Sequence, residues 1–131
     1  KVFSFKNKNL AEKNILKDLK KNNIKIICLA GFMKILSKKF IQNFKGKILN
    51  IHPSLLPKYK GLNTHQRVLD NGEKYSGCTV HYVTSKLDSG KIILQEKVRV
   101  GKRDTPKILA KKILSKEHKL YPKALLKIFN L

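Results

Sequence analysis

The sequence predicts an α/β fold with three layers, in which a mostly parallel twisted sheet is flanked by helices and carries an antiparallel strand toward its C-terminal side. Three observations lead to it. Residues 24–30 are dominated by Ile, Leu and Cys, the pattern of a strand buried on both faces of a parallel sheet. A helical stretch over residues 37–44 and an apolar run over residues 47–51 follow, so strand, helix and strand make a right-handed βαβ unit. Two alternating runs, residues 77–84 and 92–100, are separated only by the loop 85–90, and so short a connection makes that pair antiparallel.

Taken in order, residues 1–8 are a short apolar-alternating piece that reads as a strand remnant. From Asn9, a candidate N-cap, Leu10, Ile15, Leu16 and Leu19 recur near helical spacing as far as Lys21. Asn22 and Asn23 end that helix. Gly31 gives strand 24–30 a tight exit, and Ser37 caps a helix carrying Phe40, Ile41 and Phe44. Gly46 closes it before the strand at 47–51. Residues 63–69 form another helix, stopped by Asn71 and Gly72. The strand at 77–84 places Cys78, Val80 and Tyr82 on one face and Thr79, His81 and Val83 on the other. Asp104 or Thr105 caps a long final helix with Pro106 in its first turn. Ile108, Leu109, Ile113, Leu120, Leu125 and Phe129 form its apolar stripe, and Pro122 should bend or break it.

At 131 residues one domain spanning 1–131 is expected, with enough chain for a real core. The net charge is +22, yet only Arg67, Arg99 and Arg103 of the 30 basic residues are arginine. Nucleic-acid readers use arginine forks and interleaved aromatics. Lysines spread over most polar positions read instead as a solvated face, with non-specific polyanion binding as the functional remainder. Cys28 and Cys78 stand singly without metal-ligand spacing, the usage of reduced thiols in a cytoplasmic protein. No apolar run approaches membrane-spanning length.

The stretch from Ile48 to His65 organises the chain. Ile48 and Leu49 end a buried strand, and Asn50 and His52 leave it on one face because they are two residues apart. Pro53 stops the ladder, since it has no N–H to give. Pro57 and Gly61 shape the loop beyond, and its tightness raises the question of a cis Leu56-Pro57 bond.

Five blocks, Leu29-Ala-Gly-Phe-Met33, Asn50-Ile-His52, Pro53-Ser-Leu-Leu-Pro57, Leu87-Asp88-Ser89-Gly90 and Glu117-His118, resemble the glycinamide ribonucleotide formyltransferase family in order and spacing. That family moves a formyl group from 10-formyltetrahydrofolate to an amine in purine synthesis. Methionyl-tRNA formyltransferase shares the Ser-Leu-Leu-Pro loop but usually follows its glycine with small residues and a proline. Here Gly61 precedes Leu-Asn-Thr-His, which favours the glycinamide enzymes. The resemblance implies further N-terminal βα units with a glycine-rich phosphate loop ahead of Lys1. No GxG cluster occurs in these residues, so weak binding of glycinamide ribonucleotide by this stretch alone is expected.

The resemblance makes Asn50, His52 and Asp88 the catalytic set. Formyl transfer needs a donor aimed at a developing oxyanion and a path for protons between the attacking and leaving nitrogens. Asn50 can supply the donor through its amide and His52 the acid, with Asp88 favouring imidazolium. For the folate, the resemblance implies a pocket formed by Met33, Lys34, Ile35, Leu36, Leu49, Tyr82, Val83 and Asp88. Lys34 stands where the family usually has arginine, which keeps charge but loses the planar fork. Asn50, Pro53 and Glu117 are the implied contacts to the glycinamide substrate, Glu117 through its ribose. His81 and His118 read as structural, and His65 as the other histidine nearest the site. No metal is implied, and a monomer or homodimer fits the family. The competing readings are methionyl-tRNA formyltransferase, formyltetrahydrofolate hydrolase, and a basic RNA-binding module with a vestigial site.

Overall fold

The computed structural model describes residues 1–131. The first helix, α1, spans Lys8–Lys21 and is followed by strand β1, Ile26–Leu29. Then come α2 (Lys38–Asn43), β2 (Lys47–His52) and α3 (Thr64–Asp70). Strands β3 (Tyr75–Tyr82) and β4 (Ile92–Arg99) precede the final helix α4, Pro106–Ile128. No helix is long and apolar enough to cross a membrane.

The four strands form one sheet in the order β1-β2-β3-β4. Strands β1 and β2 pair parallel, as the βαβ reading requires. Strand β3 runs antiparallel to β2, and β4 antiparallel to β3. Three strands therefore point one way and β3 the other, which agrees with the expected mixed α/β sheet.

The alternation of β2 and β3 feeds two cores. Leu49, Ile51, Cys78 and Val80 join Leu109, Ile113, Leu120 and Ala124 of α4 on one face. On the opposite face Ile48 packs with Leu36, Phe40 and Phe44, while Leu16 and Leu19 of α1 lean on the same cluster. At about 25 cal/mol per Å² of apolar surface, such burial is what holds the layers together.

Caps and stops follow local chemistry, with two departures from the sequence reading in the N-terminal stretch. The α1 cap is Asn7 rather than Asn9, because the Asn7 side chain accepts the Leu10 N–H at 3.1 Å. Residues 1–7 form no strand, and Val2 is 98% exposed with no neighbour to pair against. Thr105 caps α4, while the Asp104 carboxylate accepts from Gly101 N–H at 2.8 Å and pairs with Lys112.

Helix α4 also continues through Pro122 without interruption. Leu120 and Ala124 are buried on either side of the proline, and the Tyr121 hydroxyl donates to the Leu29 carbonyl at 2.8 Å. Packing on both turns outweighs the missing backbone bond. The Leu56-Pro57 bond is cis.

Candidate active site

The site is built on the face of β2 and β3 that does not meet α4. His52 pairs in register with Thr79, and Asn50 with His81. Cross-strand partners share a face, so four polar side chains stand where the neighbouring residues in each strand are apolar. A β-bulge lies at Val80 and His81, the kind of irregularity that re-aims a side chain.

Asp88 joins them from the loop between β3 and β4. One carboxylate oxygen lies 3.5 Å from His52 Nδ1, the other 3.8 Å from His81 Nε2. The first oxygen also accepts the Gly61 N–H at 2.9 Å. Asp88 holds φ 46, a left-handed conformation that Asp and Asn tolerate better than most residues. Non-glycine residues in that region carry strain and collect at functional sites. Tyr59 and Asn63, at φ 56 and 55, stand on either side of Gly61 in the loop between β2 and α3.

The two imidazoles are held differently. His52 Nε2–H donates to the Tyr59 carbonyl at 2.8 Å. That bond places the ring proton on Nε2 and turns Nδ1 toward Asp88. His81 instead donates from Nδ1–H to the Tyr82 carbonyl at 2.9 Å, which leaves Nε2 as an acceptor for the Asn50 amide at 3.4 Å. Burial pushes the His81 ring below its ordinary protonation range, against the opposing pull of the Tyr82 carbonyl and Asp88. The geometry agrees: His81 is neutral, and its contact with Asp88 is not an ion pair. Asn50 Oδ1 is buried with no hydrogen-bond partner, an uncommon state for an amide oxygen.

The loop after β2 completes the wall. Ser54 Oγ donates to the Lys58 carbonyl at 2.6 Å. Tyr59 donates from its hydroxyl to Glu73 at 2.8 Å, with Arg67 stacked 5.4 Å from its ring. His65 lies near the group on α3, its Nδ1 buried and unpaired. Burial first, and then the neighbouring His52, hold its ring below the usual range. A concavity of about 1660 Å³ between α1 and α2 shares none of these residues. Chemistry rather than volume marks the site.

The formyl transferase family model matches residues 1–125. The chain belongs to the formyl transferase family. Among relatives of this formyl transferase chain, phosphoribosylglycinamide formyltransferase of Escherichia coli (strain K12) is 48% identical over 97 residues. That match covers 74% of this chain and 46% of the relative. The trifunctional purine biosynthetic protein adenosine-3 of Homo sapiens is 51% identical over 107 residues, 82% of this chain and 11% of that protein. The chain thus spans about half the length of the bacterial relative and about a tenth of the human one. Two solved structures share the fold. Phosphoribosylglycinamide formyltransferase from Brucella melitensis superposes with a TM-score of 0.85 at 51% identity, covering 95% of this chain and 63% of that one. The Streptococcus pneumoniae TIGR4 enzyme of the same name gives 0.88 at 32% identity, covering 96% and 70%.

Within the formyl transferase chain, the residues expected at the site divide. Asn50, His52 and Asp88 converge, with Pro53 directly after His52 in the chain. Leu36 and Val83 meet in the cluster beneath α2, on the side of the sheet that carries the polar group. Leu49 and Tyr82 turn their side chains into the α4 core instead, so only their backbone faces the other way. Met33 is 80% exposed and Ile35 is also exposed, while the Lys34 ammonium lies 5.6 Å over the Phe5 ring. Glu117 stands on α4 on the Cys78 side and makes no hydrogen bond to the polar group. Burial raises its carboxyl above the usual range, partly offset by His118. His81 was the residue that sequence reasoning missed. Its parity with Thr79 and Val83 was readable, but its pairing with Asn50 depends on the β2–β3 register.

Proposed function

We propose that this chain carries the formyl-transferring centre of a phosphoribosylglycinamide formyltransferase, acting on 10-formyltetrahydrofolate and glycinamide ribonucleotide in purine synthesis. The observation that carries the reading is the convergence of Asn50 and His52 from strand β2 with Asp88 from the loop between β3 and β4, Asn50 Oδ1 being left without a partner. Family membership and the names of the relatives support the choice of substrates.

In the proposed reaction the substrate amine attacks the formyl carbon and a new C–N bond forms. The bond from that carbon to the folate nitrogen then breaks, and the proton lost by the amine ends on the departing nitrogen. No electrons are gained or lost overall. The unpaired Asn50 oxygen accepts from the amine N–H and aims it. The Asn50 amide is held only by the long 3.4 Å contact to His81, and it donates to the oxyanion as charge develops there. His52 and Asp88 handle the proton: His52 Nδ1, 3.5 Å from the Asp88 carboxylate, relays it between the two nitrogens. Neutral His81 contributes an acceptor and no competing positive charge. Lys34 and the loop from Tyr82 to Asp88 flank the folate, and Pro53 and Glu117 are assigned to the ribonucleotide.

The test assays the protein carrying this sequence with 10-formyltetrahydrofolate and each acceptor in parallel: glycinamide ribonucleotide, methionyl-tRNA and water. Formylglycinamide ribonucleotide as the main product supports the proposal. Preferential formylation of the tRNA or hydrolysis of the folate would reassign the acceptor while keeping the centre.

A further inference from the structure

We propose that Gln95 is a positioning residue for His52, acting across the sheet through the loop of residues 53–59; this rests on the reading of His52 as a catalytic group. Nothing in the sequence marks Gln95, which lies on the exposed side of the outer strand β4.

The register makes the connection. His52 pairs with Thr79, and Thr79 with Gln95, so the three stand in one row on one face of β2, β3 and β4. Neighbouring strands lie about 4.8 Å apart, which puts Gln95 about 10 Å from His52 and out of direct reach. What spans the gap is the loop that leaves β2. It lies flat on β3 over Gly77, where an added Cβ would meet Leu55 Cδ2 at 2.7 Å and the Glu96 carbonyl at 2.1 Å.

Gln95 holds that loop from outside. Its Nε2 donates to the Leu56 carbonyl at 2.8 Å and to Thr79 Oγ1 at 2.9 Å. The Thr79 hydroxyl donates to the Ser54 carbonyl at 2.7 Å and accepts the Leu56 N–H at 3.1 Å. With one bond given and two accepted, the hydroxyl has its full complement. Both hydrogens of the Gln95 amide thus face inward, although the residue itself is exposed. The far end of the loop is closed by Ser54 Oγ on the Lys58 carbonyl. The next carbonyl, that of Tyr59, receives His52 Nε2–H. Tyr59 presents it from a left-handed backbone at φ 56, a conformation that persists only while its surroundings enforce it. Loosening Leu56 slackens the segment that keeps this carbonyl on the His52 ring.

A residue that only stiffened the sheet would lower thermal stability and leave the His52 ring alone. The test therefore reads the ring directly, without substrate, so that its failure and a failure of the proposed reaction are separate results. In the 131-residue chain labelled with ¹⁵N-histidine, NMR measures exchange of the His52 Nε2 proton with water. Gln95→Leu is expected to speed that exchange about fivefold, the factor corresponding to one net hydrogen bond. Arg99→Gln, on the same strand away from the loop, should not change it. Because Gln95 is exposed, its replacement leaves the core filled. Thr79→Val should speed exchange at least as much and Thr79→Ser should keep the native rate, which gives a second, isosteric pair. An unchanged exchange rate in both Gln95→Leu and Thr79→Val overturns the proposal, whatever happens to the melting temperature.

Discussion

Toward α4, strands β2 and β3 present Leu49, Ile51, Cys78 and Val80, all buried among aliphatic side chains. One residue along each strand, toward the loops, they present Asn50, His52, Thr79 and His81, of which the last three are equally buried. The same backbone serves both faces. On the first face stability grows with the apolar area removed from water. On the second, each side chain needs a named partner, and the partners are backbone carbonyls: those of Ser54 and Tyr59 in the loop after β2 and that of Tyr82 at the end of β3. Burying polar groups without partners is costly, so this face tolerates only one arrangement. The comparison teaches that a period of two lets one strand pair carry folding and chemistry separately.

The sharpest test of that separation is a cavity on the α4 side. Leu109 is fully buried, and Leu109→Ala should lower unfolding free energy by about 2–5 kcal/mol in chemical denaturation. Turnover per folded molecule should remain close to normal. A comparable loss of turnover per folded molecule would mean the faces are coupled. The reciprocal change, Asn50→Ala, should cost about 100- to 1,000-fold in kcat, roughly 3–4 kcal/mol of barrier, with little loss of stability. His52→Ala and Asp88→Ala should fall in the same range, and near-normal turnover in any of the three removes that residue from the mechanism.

A smaller effect follows from the buried rings. His81 and His65 both have protonation lowered from the ordinary 6.5, chiefly by burial. The folded state therefore binds fewer protons than the unfolded chain below that value, and stability falls as pH drops beneath it. Melting temperature should decline between about pH 7 and about pH 5, and His81→Asn should flatten part of that decline. A slope unchanged by the substitution would locate the acid sensitivity elsewhere. The smallest effect is expected at the start of α4. There Thr105 Oγ1 accepts the Ile108 N–H at 3.2 Å, and Thr105→Ala should cost about 1 kcal/mol of stability. It should leave the polar face and its kinetics unchanged.

Much of this architecture was legible in the chain, for reasons specific to each segment. The dense Ile and Leu content near residues 24–30 and 47–51 identified paired strands, and the two-residue spacing of Asn50 and His52 put both on one face. The cap at Ser37 also held, with its hydroxyl accepting the Phe40 N–H at 3.0 Å. The strand assigned to residues 1–8 failed because alternation cannot supply a partner. The break at Pro122 failed because propensity is local, whereas Leu120 and Ala124 are anchored by distant strands. His81 and Gln95 escaped notice for a related reason: their neighbours come from register, and register is fixed only once the sheet assembles.

Asp88 is asked to satisfy two demands at one position. Its backbone takes a left-handed turn, and its carboxylate spans Gly61 N–H and both imidazoles. Asparagine would accept the turn but forfeit the negative charge. Glutamate would keep the charge on a longer arm and resist the turn. Glycine would suit the backbone and offer no ligand at all. A saturation library at this codon, screened for the formyl transfer proposed above, should therefore return aspartate almost alone, whereas Thr84 and Lys86 a few residues upstream, both solvent-facing, should drift freely.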